Sequence, residues 1–383
     1  MTEKSVFEMD EKIYMSFYKE TVLGYSRKTQ KAIRNLLNSK GAITFDKEGT
    51  LFSDSANSSI YFNDKNDLTT IIEKTTTKVT LIKYYEYWEF IKMYKYSIPL
   101  FYEIVEMDDS FSEKLKNLVG LSQVNQFDKE VFEPKKYIIS AQLEEAIPLI
   151  YDEDGQWFIK FVLQKACLVG DADIVNYRYP VVIWINPELQ ILEIRYDTLR
   201  YSDENGGVNF YPQVVQFIVE WLNEKLGLKL FLPNHSNIID KINDKNDDTV
   251  HMFKQMMEMK SGGAAELTAS QDVDAVLPFI GELRELIVEN EELFDQNKEI
   301  KSLLVKYLDD KVNTANYPYI YVKWIKPVES QSYIVKITFD YLSQKYTVMQ
   351  HLTGTCNDMK MGRMNDAIKY LCTSGSFTKG ESL

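Results

Sequence analysis

Asp173, Glu193 and Arg195 come closest, among the residues of this chain, to a catalytic pattern. Some metal-dependent nucleases hold Mg²⁺ with an Asp from one strand and with the Glu of a Glu-x-Lys sequence on the next strand, whose lysine orients water. Here Asp171 or Asp173 precedes the strand-like sequence ILEIRYD, which contains Glu193-x-Arg195. Arginine stays protonated and cannot replace lysine as a base, and a half-exposed strand produces alternating charges by chance. The three residues are therefore weak catalytic candidates, and the sequence leaves enzymatic activity open, with the missing catalytic motifs against it.

The glycine pair in Lys260-Ser261-Gly262-Gly263 raises the question of phosphate binding. A P-loop lies between a strand and a helix and places its lysine after its glycines. In this chain the lysine precedes the glycines, and the sequence HMFKQMMEMK before them predicts a helix over about 249–260. Glycine after a helix is a common stop signal, so the pattern favours a joint between two helices. The alternative is a loop whose backbone N–H groups bind an anion or a partner.

A basic helix is the candidate for nucleic-acid binding. The sequence from Thr21 to Phe45 has no acidic residue. At about 100° per residue, most of the basic side chains lie on one face of a helix and the apolar ones on the opposite face. Such a stripe fits a phosphate backbone, and the alternatives are a solvated helix face or a surface that docks on an acidic partner. The five basic candidates are Arg27, Lys28, Lys31, Arg34 and Lys40.

Aromatic side chains are concentrated in the sequence YYEYWEFIKMYKYSIPLFY, where they alternate with lysines. Aromatic faces beside cations can stack single-stranded bases. Such a run more often forms a hydrophobic core or a subunit interface, because aromatic rings bury large areas. The residues in question are Tyr84, Tyr85, Tyr87, Trp88, Tyr94 and Tyr96, with Lys83, Lys92 and Lys95.

Metal and cofactor motifs are not evident in the sequence. His351, Cys356, Asp358 and Cys372 share one C-terminal stretch, but no Cys-x-x-Cys pair is present. The chain also lacks Gly-x-Ser-x-Gly and His-Glu-x-x-His, and no Gly-x-Gly-x-x-Gly follows a strand. We therefore expect neither a metal site nor a cofactor.

Composition indicates a folded protein with more than one domain. The chain has 383 residues, of which 45% are hydrophobic and 26% charged, so we expect two or three domains with packed cores. The net charge of −13 disfavours extensive coating of nucleic acid, although a local basic patch can still bind it. A composition rich in Lys, Asn, Ile and Tyr is typical of AT-rich bacterial or phage genomes.

Cysteine usage and hydropathy predict a soluble cytoplasmic protein. Three cysteines, far apart in sequence, form no disulfide framework, which favours a reducing compartment. The N-terminal sequence MTEKSVFEMDEK is charged and lacks the apolar stretch of a signal peptide. No apolar run approaches the roughly 20 residues needed to cross a bilayer, so we expect no membrane association.

The order of helix and strand patterns predicts an α+β fold in three parts. Residues 1–135 form a mainly helical N-terminal domain, with helices over 8–24 and 27–39 and a small β-hairpin near 42–52. Residues 136–235 form a first module of β-hairpin and helix, with a turn at the sequence DEDG and a helix that begins at Pro212. Residues 236–383 contain a long helix over about 278–311, followed by a second β-sheet module. The whole is a mixed α/β chain with sheet-bearing domains and long connecting helices.

Two strand-rich blocks resemble each other. NYRYPVVIWINPELQILEIRYDTL and ANYPYIYVKWIKPVESQSYIVKITFDYL each have Tyr-Pro, an apolar strand with a Trp, a Pro-containing turn and a second strand. A duplicated strand-pair module explains this order, and two unrelated hairpins in tyrosine-rich sheets explain it equally well.

Three functional hypotheses remain. The first is a non-enzymatic interaction protein, a subunit or adaptor of a larger cytosolic assembly that binds a protein partner or itself. The aromatic excess, the acidic charge and the missing catalytic motifs favour it. The second is a nucleic-acid-binding protein that uses the basic helix. The third is a metal-dependent nuclease that uses Asp173 and Glu193.

Overall fold

A computed structural model of the chain shows an α+β arrangement of helices and strands, which confirms the predicted fold class. Within the ranges described, no helix is both long enough and apolar enough to cross a membrane. The described residues are 11–45, 59–104, 111–131, 139–169, 173–200, 207–243, 249–260, 262–268, 278–325, 332–341, 346–353 and 359–383.

The chain forms two compact units. Unit 1 contains Met1–Leu230, Cys356–Met361 and Leu383, and unit 2 contains Phe231–Thr355 and Gly362–Ser382. The division into three domains expected from the sequence remains a prediction.

Unit 1 contains six described helices, and two of them begin at a side-chain cap. The side chain of Ser26 accepts a hydrogen bond from the backbone N–H of Thr29 and caps α2, and Asp67 caps α3 in the same way. The predicted N-terminal helices correspond to α1 and α2. The six are α1 (Glu11–Leu23), α2 (Arg27–Ser39), α3 (Leu68–Thr76), α4 (Val79–Ile91), α5 (Phe111–Gly120) and α6 (Gly207–Leu226). Helix α6 begins before Pro212, which the sequence pattern places at its start.

The small strand pair of unit 1 differs from the predicted hairpin near 42–52. Strand β1 (Ile43–Phe45) lies within that range, but its described partner is β2 (Ile60–Phe62), and the two run parallel. Parallel neighbours cannot be joined by a tight turn. This pairing is therefore not that of a hairpin, and the predicted second strand near 51–52 lies outside the described residues.

The main sheet of unit 1 has the strand order β3-β8-β7-β6-β5-β4. All of its neighbours are antiparallel except β4 and β5. Asp154 and Gly155 connect β5 to β6 with φ values of 52° and 75°, as the sequence DEDG predicts for a tight turn. The strands are β3 (Tyr96–Ile104), β4 (Asn125–Gln126), β5 (Leu149–Glu153), β6 (Gln156–Val169), β7 (Asp173–Asn186) and β8 (Ile191–Tyr196).

Helices cover both faces of this sheet. Phe90 of α4 lies against Tyr151 of β5, with ring centroids 5.3 Å apart. Phe161 of β6 points to the opposite face from Lys160, the residue before it. Its ring packs against Trp221 of α6, with ring centroids 5.3 Å apart. Because both faces are covered, polar side chains that enter the α4 side are enclosed by protein.

Unit 2 is built on an antiparallel sheet of order β11-β10-β12-β13-β14. From Phe231 onward, β9 pairs separately with β15, a strand in the polar C-terminal tail that the sequence pattern does not reveal. The strands are β9 (Leu228–Asn234), β10 (Val250–Glu258), β11 (Ala264–Thr268), β12 (Tyr319–Trp324), β13 (Tyr333–Tyr341), β14 (Tyr346–Thr353) and β15 (Thr378–Ser382). The helices are α7 (Ile238–Asn243), α8 (Pro278–Glu289), α9 (Glu291–Asp295), α10 (Lys298–Thr314) and α11 (Gly362–Thr373).

Two helix predictions in unit 2 need correction. The segment 249–260 is not a helix, because strand β10 occupies most of it between β11 and β12. Its methionines, its two lysines and Glu258 favour a helix locally, but two strand pairings outweigh that preference. The long helix expected over 278–311 is divided into α8, α9 and α10, with breaks at Asn290 and near Gln296.

The two similar blocks both form antiparallel strand pairs. In the first, Trp184 of β7 lies opposite Glu193 of β8, and in the second, Trp324 of β12 lies opposite Tyr333 of β13. A duplication as the origin of the two strand pairs remains a hypothesis.

Candidate functional site

Four charged side chains meet in the interior of unit 1, in a group that we call the ionic cluster: Glu86, Glu89, Lys160 and Arg178. The two glutamates are three residues apart on α4 and so share a face of the helix. On the sheet, Lys160 of β6 lies opposite Val182 of β7, and Arg178 is four residues before Val182. Because strand side chains alternate with a period of two, Lys160 and Arg178 project from the same face.

The contacts of the ionic cluster are close and reciprocal. Arg178 binds Glu89 with both Nε and Nη2, at 2.8 and 2.7 Å, and its Nη2 also lies 3.1 Å from Glu86 Oε1. Lys160 Nζ donates to Glu89 Oε2 at 2.9 Å and to Glu86 Oε2. The hydroxyl of Tyr14, on α1, donates to the other Glu86 oxygen. Two carboxylates thus face two cations, and the cluster is electrically balanced.

Protonation follows from burial and from these neighbours. Burial alone raises the pKa of Glu86, but Arg178 and Lys160 outweigh it and lower that pKa to about 2. Burial and the negative charge of Glu86 hold the pKa of Tyr14 well above its usual value. Glu86 is therefore ionised at neutral pH, and Tyr14 keeps the proton that it donates.

The ionic cluster has no access to solvent. All four charged residues are at most 2% exposed. Nη1 of Arg178 has no hydrogen-bond partner in the described part of the chain, and its guanidinium lies 4.0 Å from the ring centre of Tyr18. A substrate cannot reach these groups, so the cluster fixes α1 and α4 on the sheet rather than performing chemistry.

Acid sensitivity is a testable consequence of the low pKa of Glu86. A carboxyl whose pKa is about 2 when folded and about 4.3 when unfolded stabilises the fold above pH 4.3, and this contribution is lost as the pH falls toward 2. We expect the free energy of unfolding of Glu86→Gln, from urea titrations between pH 5 and pH 2.5, to fall less steeply than that of the unchanged chain. Glu73→Gln, at an exposed position, should keep the original slope, and identical slopes for all three proteins would contradict the assignment.

The nuclease candidates do not come together in the structure. Glu193 is fully buried, its carboxylate is bound by Arg195 Nη2 at 2.8 Å and by Arg195 Nε at 3.2 Å, and Ser97 also donates to it. It lies opposite Trp184, whereas Asp173 is at the far end of the same strand. Eleven residues of strand β7 separate Asp173 from Trp184, roughly 35 Å along the backbone, so positions 173 and 193 are too far apart to share a metal ion. Asp171 lies outside the described residues.

The basic helix has the predicted geometry. Arg27, Lys28 and Lys31 are exposed on the face of α2 opposite its buried residues, and they form no hydrogen bond or ion pair within the described part of the chain. Arg34 is half-buried and donates from Nη1 to the backbone oxygen of Lys65 at 2.6 Å. Lys40 follows the end of the helix and is exposed. Three cations are thus free to meet a ligand, and nucleic-acid binding remains a prediction.

The loop at Lys260-Ser261-Gly262-Gly263 connects two strands, β10 and β11, so the predicted joint between helices is wrong. Gly262 has a φ of 90° and donates its N–H to the backbone oxygen of Met259 at 2.8 Å. Met259 N–H in turn donates to the oxygen of Gly263 at 2.7 Å. These two N–H groups close the turn rather than facing an anion, and Ser261 lies outside the described residues.

Of the remaining sequence candidates, half of the aromatic run belongs to the core of unit 1, and Tyr84, Tyr87 and Tyr96 are half-buried. Tyr85, Trp88 and Tyr94 are at most 2% exposed. Among the residues that the structure describes, no three His, Cys, Asp or Glu side chains are grouped as metal ligands. Cys356 and Asp358 lie outside those residues.

Helices α8, α9 and α10 form a separate feature of unit 2, which we call the helical arm. Few contacts join its three helices to one another. Ile287 of α8 and Leu308 of α10 are buried, and Arg284 Nη2 bridges to Asp309 Oδ1 at 2.7 Å. Lys301 joins α10 to α9 through Asp295 at 2.8 Å.

Exposed apolar side chains are concentrated on the helical arm. Of fifteen large hydrophobic residues that are exposed in the described part of the chain, seven belong to it. On α10, Ile300, Leu303 and Tyr307 are spaced three and four apart and form a stripe that is 50–68% exposed. The other four are Leu286, Val288, Leu293 and Val305. A contiguous apolar stripe on a helix marks an interaction surface more often than scattered apolar residues do.

The helical arm is also acidic. Between Pro278 and Thr314 the sequence has nine acidic and five basic residues. The acidic excess lies on α8 and α9, which have six acidic residues and one basic residue, whereas α10 has three acidic and four basic residues. Glu282, Glu285 and Glu289 of α8 are exposed, as are Leu286 and Val288 of the same helix. The helical arm therefore presents exposed apolar side chains with an acidic border on α8 and α9.

Comparisons with protein-family models, with curated proteins and with solved structures found no match to this chain. Within the described residues, the helical arm and the basic helix are both exposed. The ionic cluster and the exposure of the apolar side chains on the helical arm are not apparent from the sequence. For the ionic cluster, the sequence signals are two glutamates inside an aromatic run and single cations inside apolar strands. For the helical arm, the signal is an apolar stripe that extends over more than one helix.

Proposed function

We propose that the protein is a non-enzymatic interaction protein that docks on a protein partner through the apolar stripe of the helical arm. The observation that supports this most directly is the exposure of seven large apolar side chains on 37 residues. Burying such side chains contributes about 25 cal/mol of favourable free energy per Å² of apolar surface removed from water, so covering them stabilises a complex with a partner.

The charge of the helical arm specifies the chemistry of the partner. A second arm would bring a like-charged border against the first, which is unfavourable. An apolar helix flanked by lysines or arginines satisfies both the stripe and the acidic border. We therefore favour a different protein with such a helix over self-association through the arm.

Two synthetic helical peptides test this proposal. They share one leucine face, and their polar faces carry lysines in one peptide and glutamates in the other. We expect the lysine peptide to bind the full chain at least tenfold more tightly in fluorescence anisotropy at physiological salt. Equal binding of the two peptides would remove the charge argument. If Leu303→Gln leaves the affinity for the lysine peptide unchanged, the helical arm is not the binding site.

Nucleic-acid binding by the basic helix is the second candidate function. Arg27, Lys28 and Lys31 of α2, which have no partner among the residues that the structure describes, favour it, and the net charge of −13 opposes it. If it holds, Arg27→Ala/Lys31→Ala weakens binding of a labelled DNA duplex and lowers the slope of log Kd against log salt by about 0.9 per lost contact. Lys116→Ala/Lys225→Ala removes the same charge from exposed positions of α5 and α6 and serves as the control. Equal effects of the two variants would mean that only net charge matters.

A further inference from the structure

Among the residues that the structure describes, a cavity of about 550 Å³ in unit 1 is lined by three lysines and by no acidic residue. It lies between the C-terminal end of α2, the start of β2 and the first turns of α4. Like charges gathered around one opening destabilise the fold unless an anion offsets them. The lining residues are Lys40, Gly41, Ala42, Ile60, Lys78, Thr80, Leu81, Lys83 and Tyr84.

The lysines of the cavity are available for a ligand. Lys40 and Lys78 are exposed, and within the described part of the chain neither forms a hydrogen bond or an ion pair through its side chain. Lys83 donates only weakly, at 3.4 Å, to the backbone oxygen of Glu130, and its ammonium lies 5.4 Å from the ring centre of Tyr84. Three positive charges therefore lack a carboxylate partner in the described structure.

The start of α4 adds to this positive potential. Lys78 occupies the N-cap position of a 13-residue helix and provides no side-chain hydrogen bond to the first turn. The free N–H groups and the dipole at a helix N-terminus favour an anion. A phosphate at this position supplies the missing cap.

The rest of the cavity suits an organic group beside the phosphate. Ala42, Ile60 and Leu81 form an apolar part of the lining, and the ring of Tyr84 is half-buried there. Burial and the charge of Glu130 raise the pKa of Tyr84, so its hydroxyl keeps its proton and can donate. The volume lies within the range of small-molecule sites, about 300–1,000 Å³.

We propose that this cavity binds a small phosphate-bearing ligand of mononucleotide size, with Lys40, Lys78 and Lys83 around the phosphates and Tyr84 beside the organic group. A long polyanion is disfavoured, because the net charge of −13 repels it over its whole length. Lys40, which the sequence assigns to the basic helix, belongs to this site instead.

Isothermal titration calorimetry of the full chain at low salt tests the proposal, with ATP and inorganic triphosphate as separate probes and no Mg²⁺. We expect Lys40→Gln/Lys78→Gln to weaken binding at least tenfold. Lys28→Gln/Lys31→Gln, which removes the same charge from exposed lysines without partners on α2, should change it less than twofold. Since none of these side chains holds the fold together, loss of binding cannot be ascribed to unfolding.

The outcomes separate the sources of the phosphate. A nucleotide ligand is supported if ATP binds more tightly than triphosphate and if Tyr84→Leu reduces the affinity for ATP to that for triphosphate. Equal binding of both probes supports an inorganic phosphate ligand at the same lysines. No heat change at millimolar probe, or equal weakening by both lysine pairs, overturns the site. A single-stranded oligonucleotide that binds more tightly than ATP and responds only to Lys28→Gln/Lys31→Gln would also overturn it, in favour of the basic helix.

Discussion

Replacing Arg178 by Leu is expected to lower the free energy of unfolding by about 3–5 kcal/mol. Arg178 binds both carboxylates of the ionic cluster, and its removal leaves Glu86 and Glu89 to share the single charge of Lys160. The net charge that remains is buried at the junction of α4 and the sheet, where water cannot solvate it. Urea unfolding of the full chain, followed by tryptophan fluorescence, measures the change.

Two further variants distinguish the loss of pairing from the loss of one side chain. Lys19→Ala removes the exposed pair of Lys19 with Glu73, 3.6 Å apart, and should cost at most about 1 kcal/mol. Glu89→Leu/Arg178→Leu removes one charge of each sign and should cost clearly less than the sum of its single variants. A loss below about 1 kcal/mol for Arg178→Leu would show that the cluster does not hold the fold.

Replacing Ile300 and Leu303 together by Gln is expected to weaken binding of the lysine-bearing helical peptide at least 30-fold. Each side chain is more than half exposed, so each can be covered fully by a partner, and buried apolar anchors near the centre of an interface contribute about 2 kcal/mol or more. The same exposure means that the free energy of unfolding should change by no more than about 0.5 kcal/mol. Anisotropy titrations and urea unfolding of the same preparations give both values.

Leu121→Gln is the matched control for this variant. Leu121 follows α5 in unit 1 and is 67% exposed, close to the 68% of Leu303. It should leave peptide binding unchanged. If Leu121→Gln weakened binding as much as the helical-arm variant does, the peptide would be binding apolar surface without selectivity.

Local patterns were sufficient to predict the elements whose signals agree with their surroundings. The basic and apolar faces of α2 predict its length and its buried side. The alternation of QWFIKFVLQ predicts β6, because period two fits only a strand. The sequence HMFKQMMEMK led to a wrong helix prediction, because Met, Lys and Glu are good helix formers. The contacts that make this segment a strand come from β11 and β12, which both lie later in the chain.

The candidate sites were harder to predict than the elements. The ionic cluster depends on the register of β6 with β7, which places Lys160 and Arg178 on one face, and on α4 above them. Neither follows from spacing along the chain. The apolar pattern of 278–311 predicts a helical stripe, but a stripe does not indicate what covers it, and most of Leu303 is exposed.

The most direct test of the docking surface is a photo-crosslinking amino acid at position 303, in an extract of the cells that produce the protein, with position 121 as the reference. We expect one discrete product from 303 and none from 121. The partner, identified by mass spectrometry and purified, should then form a complex with the chain that Ile300→Gln/Leu303→Gln disrupts. A product that forms equally from both positions, a crosslink to a second copy of the chain, or a complex that survives the double substitution would contradict docking of a different protein on the helical arm.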